Sequence, residues 1–236
     1  MIIRDDGESV LFITQPDHAA LAADAIAHWQ DDGFPAHPRR DVILLAAREH
    51  DNGWIEEDAA THVGEDGAPL DFVGAPAPVR QRIWPRATDR MAGASPYAAA
   101  LIAQHALTIY GSLRPEPAWA GFFDDMTRRR DALLDRAGAA SADVERDYRF
   151  VNAADRISLA FCTGWTSPLD SCGRRIILAD RNAVTIAPDP FAGAHVPLRI
   201  RARRLPRRAY ASNVSLRRAL DAAPAVILAG EAYGIA

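Results

Sequence analysis

The run Asp41-Val-Ile-Leu-Leu-Ala-Ala-Arg-Glu-His-Asp51 reads as a buried helix that ends in two metal-donor side chains. Ile43, Ala47, His50 and Asp51 fall on one face of it at helical spacing. Adjacent helical residues diverge by about 100°, so His50 and Asp51 reach a common point only from the flanks, which a helix end permits. His18, His105 and Asp155 repeat the anomaly: each interrupts an apolar helical stripe, where an unpaired polar group costs about 1–3 kcal/mol. Four helices bearing that cost point to one shared cation.

Upstream of the doublet, Ser9-Val-Leu-Phe-Ile-Thr14 reads as a strand and Thr14-Gln-Pro-Asp17 as a capped helix start, after which His18, Leu21, Ala22, Ala25 and Trp29 face inward. Downstream, residues 54–93 show little periodicity and much Pro, Gly and charge, the texture of a long functional lid. Ser95-Pro96 opens a helix through Tyr110, with Ala98, Leu101, Ile102 and His105 on its inner face. Further helices are expected over 122–137, stopped by Gly138, and from a Ser141 cap along the stripe Val144, Tyr148, Val151, Asp155, Leu159 and Cys162. After Gly164, short apolar runs at 175–179, 183–187 and 196–200 alternate with turn chemistry. A helix over 215–222 and an apolar run at 225–229, expected to pair with the first strand, close the chain. The expected fold is mainly α: a helical metal-binding bundle over 1–163 and a small β-rich C-terminal subdomain over 164–236 packed on it.

A hydrophobic share of 49% supports a real core, while a net charge of -4 gives no global attraction to nucleic acid or an anionic membrane. No stretch approaches the roughly 20 apolar residues of a membrane-spanning helix. The start lacks a basic and then apolar leader, so the cytoplasm is the expected compartment. Cys162 and Cys172 read as reduced thiols. All 27 basic residues are arginine. In such a composition the alternating Arg199, Arg201 and Arg203 read first as a solvated strand face. The expected partner is a small-molecule substrate, and homo-oligomerisation stays open.

The order His18, His50-Asp51, His105, Asp155, with Ala154-Asp-Arg-Ile-Ser158 around the last carboxylate, resembles the HD superfamily of helical metal-dependent phosphohydrolases over roughly residues 14–161. Gln15-Pro-Asp-His18 and Ala46-Ala-Arg-Glu-His-Asp-Asn-Gly-Trp54 also resemble, across the whole chain, an uncharacterised bacterial family of about this length, a domain of unknown function that names no reaction. The HD resemblance implies an HD-like bundle with His18, His50, Asp51 and Asp155 as ligands of a divalent ion, Zn, Mn or Fe, and His105 as a further ligand or phosphate contact. It also implies Asp51 as the base that orients water, His105 as the group protonating the leaving group, and Glu49 as acceptor for a ligand imidazole's free N–H. Gln15, Asn52 and Trp54 are the accompanying substrate-contact candidates. Asn52-Gly53-Trp54 departs from the glycine and lysine that many HD phosphohydrolases carry after the doublet, which removes a phosphate-facing cation. Only His62 and His105 stand between the doublet and the last Asp, which favours a single ion over two.

The function expected on this basis is a metal-dependent hydrolase of a phosphoester or nucleotide-like small molecule. Two alternatives stand beside it: an HD-type di-iron oxygenase of a small molecule, and a non-catalytic metal- or ligand-binding module. The ordinary readings are a satisfied core histidine at each position, Asp155 paired with Arg48 or Arg156, and Trp54 and Trp84 as plain core rather than a stacking surface.

Overall fold

A computed structural model describes all 236 residues, Met1–Ala236. The chain runs β1 (Ile2–Asp6), β2 (Ser9–Ile13), α1 (Gln15–Ile26), α2 (Arg40–Glu49), α3 (Ile55–Ala60), α4 (Ala77–Ala92), α5 (Pro96–Ile109) and α6 (Ala120–Ala137). It continues through α7 (Ser141–Thr163), β3 (Leu169–Ser171), β4 (Arg174–Asp180), β5 (Ala183–Ala187), β6 (His195–Pro206), α8 (Asn213–Ala222) and β7 (Ala225–Gly234).

The seven strands form one curled mixed sheet in the order β1-β2-β6-β7-β5-β4-β3. All neighbours are antiparallel except β5 and β7. With 51% helix and 21% strand the fold is α/β, so the expectation of a mainly helical HD-like bundle with a small β appendage is corrected. The physical reason lies at the chain ends. β1 and β2 join the sheet through β2–β6 pairing, Ser9 opposite Pro206, and the 225–229 run pairs with β6 in the centre rather than with the first strand, while residues 231–234 of the same strand pair with β5. Local periodicity marks a strand but carries no information about its partner.

The inward-outward alternation of β6 from His195 to Ala202 buries Val196, Leu198, Ile200 and Ala202 on one face. On that face α7 packs against β1, β3, β4 and β5, and α1 against β6. α2 and α5 lie on α1 and α7, and α4 and α6 on α5, so a single core of 54 buried residues runs from sheet to outer helices. α8 covers the opposite face near β2, where Phe12 and Leu205 meet Leu216 and Leu220.

Several ends follow sequence chemistry. Thr14 Oγ1 accepts from the Asp17 N–H at 3.1 Å, with Pro16 in the first turn of α1. Gly138 and Gly164 close α6 and α7 with φ of 62° and 74°. The lid reading needs narrowing, because α3 and α4 occupy most of 54–93 and only about residues 61–76 are irregular. Pro85 inside α4 concealed a stripe of Ile83, Trp84, Ala87 and Met91 that is buried.

Candidate metal centre

α1, the end of α2, α5 and α7 bring His18, His50, Asp51, His105 and Asp155 to one buried point between them. His50 is the residue after α2, and Asp51 opens a 3-10 turn over Asn52–Trp54, so the change of helix type turns both side chains inward. His18 Nε2 lies 3.1 Å from Asp155 Oδ1 and 3.9 Å from Asp51 Oδ2. His50 Nε2 lies 3.4 Å from Asp51 Oδ2 and 3.6 Å from Asp155 Oδ1. Donor atoms about 2.1 Å from one ion stand roughly 3 to 3.4 Å apart, close to this spacing. His50, His105 and Asp155 form a second triad, its donors within 4.8 Å of one another. His50 belongs to both triads, so they describe one basin.

The tautomers decide what the basin needs. His50 Nδ1 sits 2.7 Å from the Ala47 carbonyl, an acceptor only, so Nδ1 carries the proton and Nε2 presents a lone pair. When Ser158 Oγ donates to the His18 carbonyl at 2.8 Å it accepts from His18 Nδ1–H at 2.7 Å and leaves His18 Nε2 unprotonated as well, the tautomer a cation requires; the other tautomer donates Nε2–H to Asp155 Oδ1 at 3.1 Å. In the first form two imidazole lone pairs face two carboxylates. Protonating His50 does not close the arrangement, because 3.4 and 3.6 Å exceed good hydrogen-bond distance and Nε2 is buried without a partner. A metal ion fits these donors: mixed nitrogen and oxygen ligands, with imidazoles oriented by backbone and hydroxyl groups.

Without an ion, a proton on His50 Nε2 is the other way to bring positive charge between the two carboxylates. Burial lowers the His50 pKa, but the charge of Asp51 and the contacts with Asp155 outweigh it and raise the pKa well above the ordinary value. In the metal-free protein burial raises the Asp155 pKa, and the hydrogen bond from His18 and the contact with His50, in their Nε2-protonated forms, overturn this and hold it well below the usual carboxylate range. His105 behaves oppositely: burial pushes its pKa down to about 4, so it stays neutral near pH 7.

The centre opens into a cavity of about 260 Å³ lined by Gln15, Trp54, Trp84, Tyr110, Arg156 and Trp165 among others. Gln15 is buried with Oε1 unpartnered, and Trp54 is buried at the same wall. Asn52 is buried beside the doublet and donates through Nδ2 to Glu49 at 3.3 Å. Glu49 therefore engages Asn52, and the His50 N–H goes to the Ala47 carbonyl instead. Asp155 has no arginine partner; Arg48 reaches Asp24 at 2.6 Å. His62 lines a neighbouring apolar cavity. Sequence reasoning did not single out Ser158, Tyr148 or Arg80 as site residues. Ser158 lay inside the quoted Ala154–Ser158 run, Tyr148 was read as plain core stripe, and Arg80 stands one turn before Trp84 in the helix that Pro85 obscured.

Fold and site together define an α/β protein with a buried His/Asp centre able to hold a metal ion. Residues 1–207 match the family described as "Protein of unknown function (DUF3891)", and the chain belongs to that family. Nothing in this match shows membership of the HD superfamily. No curated protein and no solved structure matches the chain. No helix is long and apolar enough to cross a membrane.

Proposed function

We propose that the protein is a metal-dependent hydrolase of a phosphoester small molecule with a planar or apolar part. The observation that carries this reading is the convergence of two imidazole lone pairs on two buried carboxylates at the floor of an open cavity. His18, His50, Asp51 and Asp155 would hold one divalent ion, Zn, Mn or Fe, with His105 as a further ligand. Such an ion supplies Lewis-acid charge neutralisation and acidifies water towards a pKa of about 7.

The chain's own groups do the rest. Asp51 lines the cavity; in the metal-free protein the charge of His50 lowers its pKa against burial, and with an ion bound the ion would supply that charge, so its carboxylate can orient water and take its proton. A neutral His105 suits a ligand or hydrogen-bonding role better than the proton-donor role that the HD resemblance implies, because a group with a pKa of about 4 carries little proton near pH 7. Its Nδ1 is held 3.1 Å from the Tyr148 hydroxyl, which fixes the ring. Trp54, Trp84, Tyr110 and Trp165 give the cavity aromatic walls that would seat the substrate body and exclude water.

The test is elemental analysis of the purified protein, followed by an assay on generic phosphomonoesters and phosphodiesters with added manganese, zinc or iron. One ion per chain and turnover are expected, and both should collapse in His50→Ala and Asp155→Ala. Full metal content in either variant removes that residue from the ligand set. Metal without phosphoester turnover leaves a binding module.

A further inference from the structure

Besides the His/Asp cluster, the cavity wall carries two cations that have no salt-bridge partner. Arg80 projects from α4 one turn before Trp84, and Arg156 follows Asp155 directly on α7; both line the cavity. Neither makes a salt bridge or a side-chain hydrogen bond, and the Nε of each is shielded from solvent with no acceptor. Arg149 and Arg174 also have a bare Nε, but their outer nitrogens are tied down, Arg149 to the Asp32 carbonyl at 3.1 Å and Arg174 to Asp32 at 2.9 Å. The Arg80 guanidinium carbon lies 5.7 Å from the centre of the Trp119 ring, within cation–π range, a contact that uses none of its N–H donors.

A partly desolvated guanidinium whose fork of donors has no acceptor is complementary to a planar or tetrahedral oxyanion, which it binds bidentately. The charges of the cavity give the valence. With a divalent ion in place, the negative charges of Asp51 and Asp155 would be cancelled, the ligand histidines would be neutral, and Arg80 and Arg156 would leave the cavity two positive charges in excess. We propose that Arg80 and Arg156 form an oxyanion-binding arm beside the metal centre, and that the molecule entering the cavity is a phosphoryl dianion rather than a neutral ester or amide. This deepens the hydrolase reading and rests on it for the identity of the bound molecule as substrate.

The arm is tested with inorganic phosphate, titrated calorimetrically into the full chain and into Arg80→Gln, Arg80→Lys, Arg156→Gln, Arg156→Lys and His50→Ala, each checked for wild-type dichroism. Phosphate should bind the wild type, and each Gln variant should weaken it by roughly tenfold or more, the loss of a charge-assisted bond. Arg156→Lys should recover part of that loss, since it keeps charge without the fork. Acetate, a monoanion, should compete poorly, and metal content should not change in the arginine variants. Where a Gln variant misfolds, the Lys variant at the same position carries the comparison, with binding below wild type expected.

Phosphate affinity unchanged in both Gln variants overturns the arm, and its loss only in His50→Ala would place the anion on the metal alone; a wild type that binds no phosphate overturns the arm as well. The hydrolase reading fails on different evidence. A protein that contains no metal and turns over no phosphoester, yet binds phosphate through Arg80 and Arg156, loses the reaction and keeps the arm.

Discussion

Ser158 has one proton to give, and its destination sets the chemistry of His18. Donated to the His18 carbonyl, it makes Oγ the acceptor for Nδ1–H and aims the Nε2 lone pair at Asp155. Ser158→Ala should therefore leave the fold intact and weaken metal binding by roughly 10–100-fold, as removal of a ligand's orienting partner does. Chelator-competition titration reads this directly, and wild-type affinity would mean that helix packing alone orients the ring. Protonation gives a second expectation, for the metal-free protein. His50 has a raised folded pKa, so its contribution to stability is complete below its ordinary 6.5 and is lost as pH climbs through the raised value. His105, pushed down to about 4 by burial, costs stability as pH falls from 6.5, and Asp155, depressed below its ordinary 3.8, adds a further loss in acid. Stability of the metal-free chain should peak near pH 6.5 in urea titrations, and a flat profile between pH 5 and 9 would contradict the coupling. The donors themselves were legible because a polar residue inside an apolar stripe is a one-dimensional signal. Ser158 was not, since its meeting with the His18 ring depends on how α1 lies against α7, 140 residues away, and the Ala47 carbonyl was not, since the backbone acceptor is available to His50 only because α2 ends there.

The short elements after the doublet hold α4 over the centre. Arg86 donates to the Gly53 carbonyl at 3.0 Å, and Arg82 pairs with Glu57 at 2.7 Å, tying α4 to the 3-10 turn and α3. Gly53 permits the approach: a Cβ there would stand 2.1 Å from the Ile83 carbonyl oxygen, which is helix backbone and cannot swing aside. Gly53→Ala is expected to destabilise the protein by about 1–3 kcal/mol in urea unfolding, the usual range for forced overpacking. Gly93→Ala makes the control, because its added methyl group meets nothing and its loss should stay within about 0.5 kcal/mol. Equal responses would mean that α4 does not press on the turn. The Asn52-Gly53-Trp54 text shows only a missing lysine when read alone, and the reason for its glycine appears once α4 is known to be a helix. Pro85 disguised that helix, since its ring forbids one backbone bond while the stripe on either side continues.

At the scale of the whole molecule, the last strand lies in the middle of the sheet. β7 separates β6 from β5, so without it the sheet would fall into β1-β2-β6 and β5-β4-β3, and the bed shared by α1 and α7 would divide. Gly230 marks how tightly the strand is enclosed, with space for a Cβ blocked at 2.0 Å by the Asn182 carbonyl and at 2.6 Å by Phe161 of α7. The apolar run of β7 was readable as a strand, whereas its parallel pairing with β5 and antiparallel pairing with β6 is a property of the closed topology. His18 and Asp155 stand on the two helices seated on this sheet, so an ion bound between them ties the halves of the sheet together. Metal added at about 100 times its dissociation constant should stabilise the native state by about 2.7 kcal/mol, and one continuous core should spread that gain across the fold. The amides of β7, remote in sequence from every donor, should therefore slow in hydrogen exchange together with those of α7 when metal is added. Protection that rises in the helices and stays unchanged in β7 would show that sheet and helices open independently, and that the centre stabilises only the helices that carry it.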